Sequence, residues 1–377
     1  MRISKKIISS RCGNLGILTL NNPKAYHALT IDMIHHMHDL FEEWKQDGTL
    51  NAILIKGSQG ETRRPVFCAG GDVKAVCATK DPQFFFDEYQ VNHSIATSSI
   101  PIISIWDGIV MGGGVGISIH GKYRIATEHT IFAMPETKIG LFPDVGSMFW
   151  MPRLLSKPMA IYLALTGKQI RTADLLQLKL ATHYVKSEDL PELERSLTEA
   201  SNSCDHEDRD LLEKVLLSFH QLPDTEDSYL AQHKDSIDQT FNANSVEEIL
   251  VNLDRQTNMS SDFVQETKAT LHHVSPTSLK LTLEGLRRGA ECSTIAEDLQ
   301  MEYRMANACT TRENSDFHEG VRAVLIDKEK GRPNWNPNRL DEVTRDMINE
   351  FFVPVEKDLV FKELESSVIV NTSSSKL

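Results

Sequence analysis

The chain has 377 residues, of which 40% are hydrophobic and 25% are charged, a composition typical of a globular protein of about two domains. That composition excludes an intrinsically disordered or fibrous protein. The formal net charge of −13 disfavours nucleic acid and anionic membranes as partners, because phosphate-binding surfaces need clustered cations. No apolar run approaches the ~20 residues of a membrane span, so a membrane protein is not expected.

The amino-terminal part predicts strands that alternate with helices. Residues 15–20 (LGILTL) form a strand that ends at the turn signal Asn21-Asn22-Pro23. Thr30 is the predicted N-cap of a helix whose apolar residues recur at helical spacing from Ile34 to Trp44. Residues 52–56 (AILIK) form a short buried strand that Gly57 ends.

The middle of the chain repeats a strand followed by glycine, as in 65–72 (PVFCAGGD), 102–108 (IISIWDG) and 109–120 (IVMGGGVGISIH). Further strands are predicted at 123–126 and 130–133, with a helix around 84–95. This alternation predicts an α/β fold. Beyond about residue 186 helical periodicity dominates. We therefore expect an α/β core with the active site at 1–190, a helical C-terminal region at 191–365 and a flexible tail at 366–377.

Several common catalytic signatures are missing. The sequence contains no G-x-x-x-x-G-K-[ST], G-x-G-x-x-G or G-x-S-x-G motif, so nucleotide hydrolysis, dinucleotide redox chemistry and α/β-hydrolase catalysis lose their signatures. His35, His36 and His38 cluster on the first helix, but no H-E-x-x-H arrangement accompanies them. We interpret them as ordinary histidines on a solvated helix face and predict no metal site.

Two glycine clusters, Gly70-Gly71 and Gly112-Gly113-Gly114, each follow an apolar strand. Glycines at strand ends permit unusual backbone conformations and let a ligand approach bare N–H groups. Two such loops that converge would form an oxyanion hole for a carbonyl oxygen. Alternatively, the glycines only relieve crowding between strands and helices.

Two acidic residues, Glu136 and Asp144, lie eight positions apart on a segment broken by proline and glycine. An apolar neighbourhood of Met134, Leu141 and Phe142 would raise a carboxyl pKa and suit a base, acid or nucleophile. The alternative is a pair of solvated loop acids.

Characteristic motifs extend over nearly the whole chain. They are Asn21-x-Pro23-Lys24, Phe67-Cys68-Ala69-Gly70-Gly71-Asp72, Met111-Gly112-Gly113-Gly114-Val115-Gly116, the run 133–144 (AMPETKIGLFPD), and the later segments 275–280 (SPTSLK), 301–304 (MEYR) and 316–322 (DFHEGVR). By these motifs the sequence resembles the crotonase (enoyl-CoA hydratase/isomerase) superfamily, and within it the thioester-hydrolysing branch. His27 departs from the pattern, since the family usually has Asn there, in a loop that lies against coenzyme A.

The resemblance implies a spiral of ββα units with a helical C-terminal region, and a coenzyme A thioester as substrate with no separate cofactor. It implies an oxyanion hole formed by the N–H groups of Gly71 and Gly113. Glu136 would be the principal catalytic carboxylate and Asp144 its partner, and Glu88 would face the acyl pocket. The implied substrate-binding residues are thus Glu88, Gly113, Glu136 and Asp144.

The expected activity is hydrolysis of a short β-hydroxyacyl-CoA thioester, foremost 3-hydroxyisobutyryl-CoA to 3-hydroxyisobutyrate and CoA in valine catabolism. One alternative is an enoyl-CoA hydratase or isomerase, but such hydratases commonly carry a second carboxylate where this chain has Gly116. Another is a non-catalytic structural subunit of a large assembly, which the presence of both glycine loops and Glu136 disfavours. Many crotonases are trimers or hexamers, so a homo-oligomer is one option.

The carboxyl-terminal residues Ser375-Lys376-Leu377 match the address that the peroxisomal import receptor reads. The first predicted strand begins within about fifteen residues of Met1, which leaves no room for an Arg-rich transit peptide. We therefore predict the peroxisomal matrix as the location. The mitochondrion is the alternative, since most hydrolases of this branch are mitochondrial.

Overall fold

The computed structural model describes residues 1–59, 64–203, 210–224, 228–256 and 261–361. The strands are β1 (Ile7–Cys12), β2 (Leu15–Leu20), β3 (Ala52–Gly57), β4 (Val66–Cys68), β5 (Ile102–Trp106), β6 (Ile109–Met111), β7 (Tyr123–Ala126), β8 (Ile131–Ala133), β9 (Ile170–Arg171) and β10 (His183–Tyr184). The α-helices up to the last strand are α1 (Ile31–Asp47), α2 (Val73–Thr79), α3 (Gln83–Ala96), α4 (Gly113–Ile119), α5 (Ser147–Leu154), α6 (Lys157–Thr166) and α7 (Thr172–Gln177).

The rest of the described chain is helical. Its α-helices are α8 (Leu190–Ser203), α9 (Asp210–Phe219), α10 (Tyr229–Phe241), α11 (Val246–Arg255), α12 (Ser261–His273), α13 (Pro276–Gly289), α14 (Ile295–Thr311), α15 (Asp316–Gly320) and α16 (Arg345–Asn349). Short 3-10 helices cover Pro23–Ala25, Glu136–Ile139, Ser187–Asp189, Leu340–Glu342 and Glu350–Phe352, and a π-helix covers Val321–Ile326. Within the described ranges, no helix is both long and apolar enough to cross a bilayer.

Contacts between residues divide the chain into two compact units, each assembled from three separate segments. The first unit contains Met1–Asp72, Gln90–Met134 and Lys168–Lys234, and the second contains Val73–Tyr89, Pro135–Gly167 and the chain from Asp235 onward. The predicted division near residue 190 is based on a change in sequence character, and it stays a prediction.

The first unit contains two sheets that the chain visits alternately. One sheet has the strand order β1-β2-β3-β5-β7-β10, and the other has the order β4-β6-β8-β9. Pairing is parallel except between β1 and β2 and between β8 and β9. Because β3, β5 and β7 enter the first sheet while β4, β6 and β8 enter the second, successive pairs of strands advance as a spiral. The predicted α/β class and spiral of ββα units are confirmed.

The core of the first unit lies between its larger sheet and the helices α8 and α9. Leu54 of β3 and Ile103 of β5 are fully buried and pack in one cluster with Leu193 and Leu197 of α8. These strands are near-continuous apolar runs, which is typical of parallel strands covered on both faces. Burying each such side chain contributes about 2 kcal/mol, so the cluster stabilises the larger sheet against α8 and α9.

The second unit is mostly helical. Helix α13 packs against α5 and α6, and α14 packs against α5 and α15. The ring of Tyr162 on α6 lies 5.1 Å from that of Phe241 and 5.9 Å from that of Phe263, all three being fully buried. The packing of α5 on α13 and α14 places the loop that precedes α5 beside α14.

The interpretation of the clustered histidines is wrong for His36. That side chain is only 3% exposed, and its Nδ1 accepts the backbone N–H of Ser4 at 3.2 Å. The reason is β1, which the sequence analysis does not predict and which packs with the preceding residues on α1. The face that carries His36 is therefore covered by the chain's own amino-terminal segment.

Candidate active site

The two predicted glycine loops lie side by side in the first unit. Strands β4 and β6 are parallel neighbours, so the loops that follow them emerge at the same edge of the sheet. Gly70 has φ +109°, a conformation that favours glycine. A Cβ atom placed on Gly70 would lie 3.8 Å from the amide nitrogen of Gly113. The structure therefore brings together the two loops that the sequence singles out.

Within the part of the chain that the structure describes, the N–H groups of both predicted oxyanion donors lie outside the local backbone hydrogen bonds. Around Gly71, Leu29 donates to the carbonyl of Gly70, and Asp72 donates to the carbonyl of Leu29. This bridge does not use the N–H of Gly71 itself. Gly113 is the first residue of α4, where the N–H groups of a helix have no intrahelical partner. Two such donors suit an oxygen that becomes negative during a reaction.

Close packing against β4 explains why the neighbouring position 114 is a glycine. A Cβ atom there would lie 2.5 Å from the carbonyl oxygen of Cys68, closer than real contacts allow. The alternative interpretation of the glycines thus applies to Gly114, whose lack of a side chain lets α4 pack against β4.

His27, the departure from the family pattern, is buried and has φ +56°. This left-handed conformation is one that Asn and His adopt more readily than most residues, which explains why either can occupy the position. Its Nδ1 accepts the N–H of Asn22 at 3.0 Å, so Nε2 carries the proton and donates to the carbonyl of Ser58 at 3.3 Å. Burial lowers the pKa of His27, which favours this neutral form.

The predicted acids lie in the second unit. Glu136 begins a 3-10 helix, Asp144 lies in the loop before α5, and Glu88 lies on α3. Their side chains are buried, with exposed fractions of 6%, 4% and 2%, respectively. The alternative of two solvated loop acids is therefore wrong.

The three acids share one electrostatic environment. Burial raises the pKa of Asp144 to about 7. Burial and the charge of Asp144 raise the pKa of Glu136 well above its usual value. Burial and the charges of Asp144 and Glu136 do the same to the pKa of Glu88. The structure therefore brings these three acids together. Because each ionised group disfavours ionisation of its neighbours, the set retains protons near neutral pH.

Tyr89 is a site residue for which the sequence analysis predicts no role. Its hydroxyl donates a hydrogen bond to Asp144 Oδ2 at 2.9 Å, and its side chain is fully buried. This bond opposes the effect of burial on Asp144, because it stabilises the charged form. A signal exists in the sequence, since a tyrosine on the apolar face of a helix needs a partner for its hydroxyl.

Glu302 on α14 is a second residue of this kind. Its Oε2 accepts the N–H of Gly146 at 2.7 Å and its Oε1 accepts the N–H of Met148 at 3.0 Å. These amides lie two and four residues after Asp144, so Glu302 contacts the segment that joins Asp144 to α5. The sequence analysis includes Glu302 in the 301–304 motif but assigns it no function.

The arrangement of the acids is suited to proton transfer away from bulk water. Among the described residues, Glu136 Oε2 and Glu88 Oε1 are buried oxygens without a hydrogen-bond partner. A buried polar atom without a hydrogen-bond partner lowers the stability of the folded protein. Such oxygens are therefore suited to bind a polar group of the substrate or to hold a proton. In the same ranges, no group of three or more His, Cys, Asp or Glu side chains has an arrangement that holds a metal ion.

The chain matches a known protein family over most of its length. The family model described as enoyl-CoA hydratase/isomerase matches residues 15–352. The chain is similar to proteins named "3-hydroxyisobutyryl-CoA hydrolase, mitochondrial". It is 40% identical to that of Homo sapiens, over 93% of this chain and 89% of the relative. It is 41% identical to that of Rattus norvegicus, over 96% of this chain and 94% of the relative.

Solved structures give the same family. A carnitinyl-CoA dehydratase from Mycobacterium thermoresistibile superposes with a TM-score of 0.84 at 33% identity, covering 95% of this chain and 99% of that one. An enoyl-CoA hydratase from Rhodobacter sphaeroides 2.4.1 superposes with a TM-score of 0.81 at 28% identity, covering 95% of this chain and all of that one.

Proposed function

The chain belongs to the enoyl-CoA hydratase/isomerase family, and on that premise we propose that it is an acyl-CoA thioester hydrolase that cleaves 3-hydroxyisobutyryl-CoA. The observation that carries the proposal is the identity of about 40% to hydrolases of that name over more than 90% of the chain. The products are 3-hydroxyisobutyrate and free CoA, a reaction that belongs to valine catabolism. The expectation of an enzyme, rather than a structural subunit, follows from the same relatives.

The buried acids suggest how the reaction proceeds. In the proposed mechanism Glu136 reacts as the carboxylate, and a neighbouring acid of the set holds its proton. Glu136 either deprotonates the attacking water or adds to the thioester carbonyl. In both cases the C–S bond breaks and CoA leaves as the thiolate, and in the second case water then cleaves the acyl–Glu136 anhydride. The N–H groups of Gly71 and Gly113 are the proposed donors to the resulting oxyanion. Preorganised donors of this kind typically lower a barrier by about 3 kcal/mol each.

Asp144 is the proposed partner acid. A carboxyl group with a pKa of about 7 can hold or release a proton at neutral pH. It would protonate the leaving thiolate or bind the β-hydroxyl group of the substrate. Glu88, which stays protonated more readily than an exposed glutamate, is proposed to bind the acyl part of the substrate.

The direct test is the release of free thiol from 3-hydroxyisobutyryl-CoA by purified wild-type protein and by Glu136→Gln. The variant removes the carboxylate with little change in volume, so we expect loss of thiol release with an unchanged circular dichroism spectrum. Glu43→Gln, at an exposed position on α1, is the matched control and should retain wild-type activity. Full thiol release by Glu136→Gln would refute the role of this residue, and none by the wild type would refute the function.

A hydratase is the second candidate, because both solved structures above carry hydratase or dehydratase names. The chain has Gly116 where hydratases of this fold commonly have a second carboxylate, and glycine offers no group to position water for addition. Crotonyl-CoA separates the two candidates. A hydratase consumes the double bond and its absorbance, whereas a hydrolase leaves the double bond and releases thiol.

The location of the enzyme is a separate proposal. The relatives are named mitochondrial, which favours the mitochondrial alternative. The peroxisomal matrix and the import receptor stay predictions, and Ser375-Lys376-Leu377 lie outside the described residues. Fusions to a fluorescent protein at either end, imaged beside organelle markers, decide between them. Peroxisomal puncta of the N-terminal fusion that disperse on deletion of Leu377 support the import signal, and mitochondrial signal from the C-terminal fusion supports the alternative.

A further inference from the structure

The loop between Asp144 and α5 has an unusual backbone. Val145 has φ +56° and Gly146 has φ +85°, so two consecutive residues are left-handed. The left-handed region is rarely adopted by a β-branched residue such as valine. Such a conformation persists only where the surroundings impose it. The loop that presents Asp144 therefore needs an external contact to hold its shape.

Glu302 supplies that contact from α14. Its two carboxylate oxygens accept the N–H groups of Gly146 and Met148, at 2.7 and 3.0 Å. Gly146 is the N-cap of α5, and Met148 is in its first turn. A carboxylate at this end of a helix is favoured by the helix dipole as well as by the hydrogen bonds. Glu302 is fully buried, so water does not compete for these amides.

We propose that Glu302 is a positioning residue that fixes the loop after Asp144 in the geometry that thioester hydrolysis requires. This inference rests on the proposed function, since it assigns Glu302 to the same reaction. Glu302 acts through the amides of Gly146 and Met148 and so sets where Asp144 lies, without contact with the substrate.

The neighbour of Glu302 on α14 is consistent with this role. Asp298 lies one turn before it on the same helix and is also fully buried. Burial and the charges of Asp298 and Asp144 raise the pKa of Glu302 well above its usual value. Two buried carboxyl groups that interact in this way cannot both ionise readily, so the pair holds a proton. The hydrogen bonds from Met148 and Gly146 lower the pKa of Glu302. Because both oxygens of Glu302 already accept N–H groups, we place the shared proton on Asp298. Burial raises the pKa of Asp298 to about 7.

The variant Glu302→Gln tests the inference. An amide keeps one acceptor oxygen but turns an NH2 group toward the second backbone N–H, so one of the two hydrogen bonds must be lost. We expect kcat for 3-hydroxyisobutyryl-CoA to fall by about 10- to 100-fold, because misplacement of a reacting group by about 1 Å has effects of that size. KM should change much less, since Glu302 does not contact the substrate.

Hydrogen–deuterium exchange supplies a readout that does not depend on activity. The peptide that covers residues 141–149 should exchange faster in Glu302→Gln than in the wild type. Glu302→Asp keeps the charge and should restore part of kcat and of the protection. If the glutamine variant does not fold, Glu302→Asp alone decides. Its shorter side chain should still lower kcat and the protection of residues 141–149 below their wild-type values.

Glu297→Gln is the matched control on the same helix. Glu297 accepts the N–H of Ser293 at the start of α14, so its loss weakens α14 without affecting the loop after Asp144. In a folded Glu302 variant, wild-type kcat, wild-type exchange of 141–149, or changes equal to those of Glu297→Gln would each overturn the inference. Failure of the proposed function is distinguishable, because the wild type would then release no thiol while the exchange difference remains.

Discussion

At the scale of single residues, two opposing influences set the protonation of Asp144. Burial favours the neutral acid, and the hydrogen bond from Tyr89 favours the carboxylate. The resulting pKa of about 7 lets Asp144 exchange a proton at neutral pH. The Tyr89 hydroxyl is therefore the group by which the protein tunes this acid.

Removing that hydroxyl should change the pH dependence of the enzyme. In Tyr89→Phe the pKa of Asp144 should rise further, because the bond that stabilises its charged form is lost. We expect the limb of the pH profile of kcat that reports Asp144 to move to higher pH, with a decrease in kcat of about tenfold. Tyr123→Phe is the control, since Tyr123 donates to Glu213 in the first unit. A limb that stays in place would contradict the assignment.

The sequence predicts some of these residues and not others for a physical reason. Glu136 and Asp144 stand near each other in the chain, on a segment whose proline and glycine already indicate a loop. Tyr89 reaches Asp144 across 55 positions, and Glu302 reaches Gly146 across 156. A hydrogen bond of that range depends on tertiary packing, to which local patterns in the sequence give no access.

At the scale of elements, the contact between α4 and β4 sets the position of the Gly113 amide. The two elements approach so closely at Gly114 that a Cβ atom would lie 2.5 Å from a backbone oxygen and 2.7 Å from the Cβ of Cys68. Backbone cannot move aside as a flexible side chain can. The element that carries the proposed oxyanion donor is thus fixed by a glycine beside it.

The variant Gly114→Ala should therefore destabilise the protein. We expect the free energy of unfolding to fall by about 2 kcal/mol or more, the usual cost of forcing extra atoms into a packed site. Gly331→Ala is the matched control, because a Cβ atom at Gly331 has no neighbour within 4 Å. Urea unfolding measures both variants. Equal stabilities for the two would mean that α4 is free to move away from β4.

Most of the predicted elements of the α/β part are confirmed, including β2, α1, β3 and α3, because apolar periodicity and turn signals mark them. Strand β1 is missed, since only Ile7 at its start is buried and Ile8–Cys12 are exposed. It is an edge strand, and burial on one face is what produces an alternating pattern. Strands β9 and β10 have two residues each, too few for any periodicity.

At the scale of the whole molecule, the buried carboxyl groups are unevenly distributed between the two units. Among the described residues, the second unit buries the carboxyl groups of Glu88, Glu136, Asp144, Asp298, Glu302 and Asp316, and the first unit buries that of Asp174. The net charge of −13 predicts an acidic surface but says nothing of acids inside. Each unit is also built from three separate segments, an arrangement that composition along the chain does not reveal.

These buried acids should make stability depend on pH, and Asp298 offers the clearest test. Its pKa is about 7 in the folded protein and about 4 in an unfolded chain. Between these values the folded state binds more protons than the unfolded state, so the free energy of unfolding falls as pH rises. Asp298→Asn does not titrate and resembles the protonated acid. The variant should therefore gain stability relative to the wild type, by about 2 kcal/mol, as pH rises from 5 to 8.

Urea unfolding of both proteins at pH 5, 6.5 and 8 gives this difference directly. Taking the difference also removes the contributions of His27 and His183, whose pKa values burial lowers and which titrate in the opposite sense. Asp210→Asn, at an exposed position, controls for the loss of one negative charge. A difference that stays constant or shrinks with rising pH would contradict the buried proton on Asp298. It would then place that proton on Glu302, whose hydrogen bonds to the loop after Asp144 would be weaker for it.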